Sequence, residues 1–162
     1  MQFCDMEKLN FPVFSLHIKS RENKHFIFDL VRKKWLVLTP EEWVRQHCIH
    51  YLINEKGYPL GLIQVEKKLK VNKLEKRYDI VIFNKEGAIN LLVECKRTNV
   101  PITQKTFDQI AQYNFTLNSE YLMITNGLDH YYCQMDFKQK RYIFLKIYKE
   151  KQENQRKKND KQ

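Results

Sequence analysis

Apolar side chains recur at helical intervals in the segment that follows Leu38. This segment begins with TPEEW (residues 39–43), and its apolar positions continue through residues 44–53 until Gly57. Thr39 can cap a helix, proline is favoured at the first helical position, and Glu42 lies three residues after Thr39, which completes a capping box. The pattern therefore predicts a helix that begins at residues 39–40 and ends by Gly57.

Strand-like and helix-like segments alternate on both sides of this helix. The runs LIQVEKKLKV, RYDIVIF and AINLLVECK predict three strands, residues 104–117 have one apolar helical side, and EYLMITN predicts a fourth strand. Upstream, VFSLHIK, HFIFDL and KWLVL predict two or three strands in an N-terminal antiparallel extension, while HYYCQMDF and RYIFLKIY predict further strands downstream. The order helix, three strands, helix, strand indicates an α/β (α+β) fold with a mixed sheet.

The length and composition fit one packed domain. The chain has 162 residues, of which 43% are hydrophobic, so it is too apolar to be a disordered chain. We expect a single domain over residues 1–148, with its core at about residues 39–135. The remaining tail, KEKQENQRKKNDKQ (residues 149–162), has no apolar side chain to bury and is expected to be a solvated helix or coil.

The net charge of +10 favours a polyanionic partner but is weak evidence by itself. Six basic and three acidic residues in the tail account for +3 of it, which leaves +7 on residues 1–148. No apolar run approaches the roughly 20 residues that span a bilayer, and no signal peptide is evident, so we expect a cytoplasmic protein without membrane contact. The four cysteines are scattered, and the cluster His47, Cys48 and His50 is a poor zinc pattern without a distant second pair.

The segment LLVECKR (residues 91–97) carries the candidate chemistry. Glu94 and Lys96 point to the same face of a strand because they are two residues apart, whereas Val93 and Cys95 face the other way. Asp79 opens the preceding strand, and the short connecting turn predicts an antiparallel pair that brings Asp79 close to Glu94. Two converging carboxylates suit Mg²⁺ or Mn²⁺.

A lysine beside such a metal can orient or help deprotonate an attacking water and offset charge on a phosphoryl transition state. An isolated Glu-x-Lys is more often an ordinary surface ion pair on an edge strand. The apolar run LLV before Glu94 and the paired Asp79 favour the functional interpretation here.

These residues resemble the PD-(D/E)xK nuclease superfamily, with Asp79 followed by Glu94, Cys95 and Lys96 within the expected order of elements. More narrowly, TPEEWVRQH, VEKKLKVNKLEKRYDIVIF, LLVECKR and TQKTFDQIAQYN resemble the N-terminal nuclease domain of type I restriction enzyme R subunits, in the form found as small stand-alone bacterial proteins. The resemblance covers about residues 25–135. It implies a restriction-endonuclease-like core.

The resemblance also implies roles for the central residues. Asp79 and Glu94 would be ligands of Mg²⁺ or Mn²⁺, joined by the backbone carbonyl of Cys95, and Lys96 would be the catalytic lysine. Glu66 matches an accessory acidic position that supports the metal or its water. A solvated glutamate at the start of a strand explains Glu66 equally well.

A further set of residues would contact the substrate. Gln109 and Tyr113 fit a Gln-xxx-Tyr element that positions the scissile phosphate, and their i, i+4 spacing puts both on one helix face; a polar helix flank with a half-buried tyrosine is the alternative. A basic group around the predicted hairpin would bind nucleic acid, although a solvated basic turn also explains its lysines. Its members are Lys68, Lys70, Lys73, Lys76, Arg77, Arg97 and Lys105.

The chain departs from the resembled pattern in two ways. Tyr78 replaces the proline of the motif name, at a position that shapes the strand entrance and does not bind metal. Type I R subunits continue into an ATP-driven translocase, but this sequence has no Walker motif, so ATP-dependent cleavage by this chain alone is not implied.

The implied function is metal-dependent hydrolysis of phosphodiester bonds, with DNA as the expected partner. A homodimer or two sequential nicks would then be needed for a double-strand break. The alternative is a non-autonomous binding or accessory module that acts only with a motor or specificity partner. A structure-selective or transposon-end nuclease of the same fold is a third possibility.

Overall fold

Two β-sheets and two α-helices are described in residues 6–145 of a computed structural model. The small antiparallel sheet has the order β1-β2-β3, and the large sheet has the order β4-β5-β6-β7-β8-β9. The elements are β1 (Ile18–Arg21), β2 (Lys24–Asp29), β3 (Lys34–Val37), α1 (Pro40–Asn54), a 3₁₀ helix (Leu60–Leu62), β4 (Ile63–Val71), β5 (Leu74–Phe83), β6 (Ile89–Cys95), α2 (Gln104–Leu117), β7 (Tyr121–Thr125), β8 (His130–Asp136) and β9 (Arg141–Phe144).

The order of elements confirms the predicted fold. The N-terminal extension, the helix, the three strands, the second helix and the fourth strand all follow in the expected sequence, consistent with a restriction-endonuclease-like core. Pairing in the large sheet is antiparallel except between β6 and β7, which are parallel and are joined through α2. The predicted tail, residues 149–162, and the end of the last predicted strand lie outside the described residues.

The two helices cover opposite faces of the large sheet. Strand residues alternate between two buried clusters because successive side chains of a strand point to opposite faces. On β6, Leu91 and Val93 pack in the cluster that contains α1, while Leu92 packs in the cluster that contains α2. The core is therefore formed by three layers, and the ends of the central strands lie between the helices.

Helix α1 begins as predicted and ends before Gly57, as expected. The hydroxyl of Thr39 accepts a hydrogen bond from the backbone N–H of Glu42 at 3.1 Å. The helix ends at Asn54, three residues before Gly57, which adopts a φ of +75° in the following turn. Neither helix in the described part of the chain is long and apolar enough to cross a membrane.

Every residue of α1 from Val44 to Leu52 is buried. One side of the helix packs on the large sheet, and the N-terminal segment adds Leu9 and Phe11 to the same cluster. Burial on several sides places polar side chains of α1, as well as its apolar ones, inside the protein.

Asp29, at the end of β2, joins the small sheet to α1. Its carboxylate is fully buried and accepts hydrogen bonds from the backbone N–H groups of Val31 and Arg32 at 2.8 and 2.9 Å. It also accepts from the Arg32 side chain at 2.8 Å and from the Gln46 amide of α1 at 3.1 Å. Four donors therefore depend on one carboxylate.

We expect Asp29→Ala to lower the free energy of unfolding by about 2 to 4 kcal/mol, because buried donors are left without an acceptor. Chemical denaturation monitored by tryptophan fluorescence measures the change. Asp136→Ala is the matched control, since Asp136 accepts from Gln139 and Arg141 at the exposed surface and its loss should cost less than about 1 kcal/mol. Equal losses in the two variants would contradict this role of Asp29.

Candidate functional site

The pairing of β5 with β6 brings Asp79 and Glu94 together, as the sequence predicts. Ile80 lies opposite Val93, so the preceding residue of β5, Asp79, comes opposite Glu94. One carboxylate oxygen of Asp79 (Oδ2) accepts a hydrogen bond from the backbone N–H of Cys95 at 2.8 Å. The side chain of Asp79 thus takes the place of a backbone acceptor where the regular pairing ends.

The backbone around Asp79 departs from regular strand geometry. Tyr78 packs in the α2-side cluster and Ile80 in the α1-side cluster, although alternate residues of a regular strand share a face. Opposite Asp79 on β4, Glu66 has a φ of +53°, a conformation that residues other than glycine rarely adopt. Such irregularities re-aim side chains and concentrate at functional sites.

Arg45 of α1 connects the carboxylates of the site. Its guanidinium lies 2.6 Å from Glu42 and 3.2 Å from Glu41 on its own helix. It also lies 2.7 Å from Glu66 on β4 and 2.9 Å from Oδ1 of Asp79 on β5. Burial alone would lower the pKa of Arg45, but the surrounding carboxylates raise it above its ordinary value. Arg45 is therefore a permanent cation at the centre of an acidic cluster.

The sequence interpretation did not include Arg45. The spacing of Glu41 and Glu42 before it, i−4 and i−3, indicates helical ion pairs, and both of these form. Its contacts with Glu66 and Asp79 join different elements, so no local pattern indicates them. Glu66 is consequently not the solvated strand-end glutamate of the alternative interpretation: it lies within β4, and it pairs with Arg77 as well, at 3.1 Å.

Glu94 is buried without a complete set of hydrogen bonds. Only 8% of the residue is exposed, and its Oε1 atom has no hydrogen-bond partner among the described residues. Burial, followed by the repulsion of Asp79, raises the pKa of Glu94 to about 7, although Lys76 and Lys96 oppose the rise. A buried carboxylate oxygen that lacks a donor is well suited to a cation.

The predicted metal ligands, Asp79, Glu94 and the carbonyl of Cys95, stay a prediction and are all oxygen donors. No cluster of three or more His, Cys, Asp or Glu side chains is arranged for a metal within residues 6–145. Asp79 and Glu94 would therefore supply two side-chain donors, and the carbonyl of Cys95 and water would complete the shell. Oxygen donors with several positions left to water are typical of Mg²⁺ sites.

Two lysines lie close to Glu94. Lys96 follows the last residue of β6, and its backbone N–H donates to the carbonyl of Thr125 at 2.8 Å, which extends the parallel pairing. Lys76 of β5 lies over two aromatic rings, 4.8 Å from the centre of Tyr78 and 4.4 Å from that of Tyr113. Burial lowers the pKa of Lys76, while the Glu94 carboxylate opposes this shift.

The structure brings together two residues that were predicted to contact the substrate, Tyr113 and Lys76. Tyr113 of α2 reaches the site through Lys76, and Lys76 belongs to the site itself and not only to the basic surface. Gln109 is exposed, and its side chain makes no hydrogen bond within the described part of the chain. The shared role of Gln109 and Tyr113 in positioning the substrate stays a prediction.

The other predicted basic residues are exposed. The β4–β5 hairpin presents Lys70 and Lys73 near its turn, while Lys68 pairs with Glu75 at 3.1 Å. Arg77 is 63% exposed beside Glu66. Arg97 and Lys105 are exposed beyond β6 and at the start of α2. Most of these side chains are free to meet a phosphate backbone.

Comparison with known proteins identifies the resembled domain. Residues 40–147 match the family model described as type I restriction enzyme R protein N terminus (HSDR_N). The match begins at the first residue of α1 and includes all residues of the candidate site. No curated protein matches the chain with significant similarity.

The raised pKa of Glu94 predicts a pH-dependent loss of stability in the metal-free protein. The folded chain holds the Glu94 proton more tightly than the unfolded chain, so this group destabilises the fold as pH rises from about 4.5 to about 7. Glu94→Gln should therefore raise the free energy of unfolding at pH 8 by roughly 1 to 3 kcal/mol, and by much less at pH 4.5.

Denaturation in EDTA at the two pH values measures this difference. The exposed Glu75→Gln variant is the control, and its stability relative to the unmodified chain should be nearly the same at both pH values. A Glu94→Gln effect that is independent of pH would contradict the assignment.

Proposed function

Since the chain belongs to the family of type I restriction enzyme R protein N-terminal domains, we propose that it is a metal-dependent nuclease of the PD-(D/E)xK type that hydrolyses phosphodiester bonds in DNA. The observation that carries the proposal is the convergence of Asp79 and Glu94 beside two lysines, with one buried oxygen of Glu94 that has no hydrogen-bond partner among the described residues. Structural ion pairs rarely leave a buried carboxylate oxygen without a partner.

The carboxylates of Asp79 and Glu94 and the carbonyl of Cys95 would hold Mg²⁺ or Mn²⁺. A divalent ion there supplies positive charge that stabilises the negative charge developing on the phosphate group. Binding would also lower the pKa of Glu94 and oppose the effect of burial, because a nearby cation favours the ionised carboxylate. The protein contributes a partly buried setting in which these charges interact strongly.

The lysines supply the remaining chemistry. Lys96 lies next to Glu94, where its ammonium can orient the attacking water and offset charge on the phosphate. Lys76 adds a second ammonium, which the rings of Tyr78 and Tyr113 hold in place. Tyr113 therefore acts on Lys76, and through it on the phosphate.

The exposed basic hairpin supplies affinity for the substrate. Lys70 and Lys73 lie at its turn and Arg77 lies next to the site, so a nucleic-acid backbone that contacts the hairpin also approaches Glu94. Contacts of this kind are independent of sequence and weaken with salt. Cleavage of both strands would need a second copy or a second binding event, because each chain has one site.

A second candidate is an accessory module that binds DNA and acts only with a partner that carries a motor or specificity function. The family description supports it, because it places such domains at the N terminus of R proteins. The contact between Arg45 and Asp79 supports it as well, since a predicted ligand is already occupied by an internal cation.

Nicking of supercoiled plasmid separates the two candidates. With Mg²⁺ or Mn²⁺ the unmodified chain should nick DNA and with EDTA it should not, while Lys96→Ala and Glu94→Ala should each lower the rate by at least about a hundredfold. Lys85→Ala, at an exposed lysine of the β5–β6 turn, is the control.

DNA binding without nicking by the unmodified chain would favour the accessory module. Nicking by Lys96→Ala at the unmodified rate would show that the catalytic assignment is wrong.

We expect substitutions of Lys76 and Lys70 to affect different properties, the nicking rate and the DNA affinity, although both residues belong to the same hairpin. Lys76→Met should lower the nicking rate by roughly 10- to 100-fold with a small effect on DNA affinity, because Lys76 lies at the reacting group. Lys70→Met should lower the affinity and reduce the salt dependence of binding by about one ion, because it contacts only the backbone. Fluorescence anisotropy at several salt concentrations, together with nicking rates, measures both effects. Identical effects of the two substitutions on nicking rate and DNA affinity would contradict these different roles.

A further inference from the structure

The guanidinium of Arg45 lies where the acidic side chains of the site converge. Two of its partners, Glu41 and Glu42, belong to its own helix, and the other two, Glu66 and Asp79, belong to β4 and β5. The Arg45 side chain is only 7% exposed, so water screens these contacts weakly. One guanidinium therefore contacts four carboxylates, of which Glu42 is also paired with Arg32 and Glu66 with Arg77.

The two predicted metal ligands differ in their hydrogen bonds. Both oxygens of Asp79 already accept hydrogen bonds, Oδ1 from Arg45 at 2.9 Å and Oδ2 from Cys95 at 2.8 Å. Oε1 of Glu94 accepts none among the described residues. A cation that enters beside Glu94 therefore finds one open carboxylate and one that is held by another positive charge.

Stability does not account for this arrangement. Buried ion pairs are costly to desolvate, and apolar replacements are often neutral or stabilising. The Nε atom of Arg45 is buried without a hydrogen-bond partner in the described structure, so the guanidinium is not fully satisfied. The positive φ of Glu66, which directs its carboxylate to Arg45 at 2.7 Å, adds backbone strain.

We propose that Arg45 is a positioning residue that acts as the internal counter-cation of the metal site. In the metal-free protein it holds Asp79 and Glu66 together and lowers the affinity of the site for a divalent ion. Metal binding makes Arg45 release Asp79 while it keeps Glu42, which lies closest to it at 2.6 Å. The inference rests on the proposed function, because it concerns the same metal ligands.

Electrostatic repulsion at short distance explains why Arg45 would release Asp79. A divalent ion bound to Asp79 would lie close to a guanidinium that is now 2.9 Å from Oδ1, and like charges at such distances repel strongly in a partly buried site. Arg45 keeps its pairs with Glu42 and Glu41 when it gives up Asp79, so no buried charge is left unpaired. Metal occupancy is thereby coupled to the first turns of α1.

The test compares Mn²⁺ affinity of the full chain by isothermal titration calorimetry and by electron paramagnetic resonance of free Mn²⁺. Arg45→Met, which keeps an unbranched apolar stem and removes the charge, should lower the Kd by at least about tenfold. Arg45→Lys keeps the positive charge, so its Kd should remain within about threefold of that of the unmodified chain.

Arg77→Met is the matched control for charge. It removes an exposed guanidinium that lies 3.1 Å from the same Glu66 and makes no contact with Asp79 within the described residues. Its Kd for Mn²⁺ should change by less than about threefold, because water screens exposed charges.

A measurement on the unmodified chain tests the proposal even if a variant fails to fold. The ¹⁵N resonances of the Arg45 guanidinium should shift, and its protons should exchange faster, when Mg²⁺ is added. The same titration of Glu94→Gln should leave them unchanged at equal Mg²⁺ concentration.

The outcomes separate the two proposals. Tighter binding in Arg45→Met, with little change in Arg77→Met, supports the counter-cation. Equal or weaker binding in Arg45→Met, or guanidinium signals that do not respond to Mg²⁺, overturns it and leaves the metal site standing. Failure of every variant and of the unmodified chain to bind Mn²⁺ overturns both.

Discussion

The bond between the Asp79 carboxylate and the backbone N–H of Cys95 is the constraint on which the site depends. Regular pairing of β5 with β6 reaches Ile80 and Val93, and the next N–H group of β6 needs an acceptor because it is buried. A side chain supplies that acceptor in place of a backbone carbonyl. The bond thereby ends the ladder and fixes one carboxylate beside Glu94.

The remaining features of the site follow from the concentration of negative charge at this point. Glu66 and Asp79 share the guanidinium of Arg45. Burial, followed by the repulsion of Asp79, raises the pKa of Glu94, whose Oε1 has no hydrogen-bond partner among the described residues. Lys76 stays close to Glu94 because two tyrosine rings hold its ammonium. The positive charges of the site are thus divided between Arg45 on the α1 side and the two lysines near Glu94.

The buried helix α1 connects the charged groups of the site to the rest of the protein. The N-terminal segment and the small sheet cover parts of the helix that the large sheet does not reach, and Asp29 fixes the small sheet to Gln46. Gln46 also donates to Glu42 at 2.8 Å, and Glu42 accepts from Arg45. A continuous set of hydrogen bonds therefore leads from β2 to Asp79, so the N-terminal extension supports the site although it contributes no predicted ligand.

The sequence by itself determined the order of elements, the start of α1, the limits of α2 and the proximity of Asp79 to Glu94. These properties depend on local signals, namely apolar periodicity, the cap at Thr39 and a short turn between paired strands. The place of Lys76 between the rings of Tyr78 and Tyr113 was decided only by tertiary packing. Arg45 illustrates the difference most clearly: its helical ion pairs can be derived from residue spacing, but its contacts with Glu66 and Asp79 form only when α1 packs against the sheet. Local spacing specifies neighbours along one element, whereas the charges that meet between elements are determined by how those elements pack.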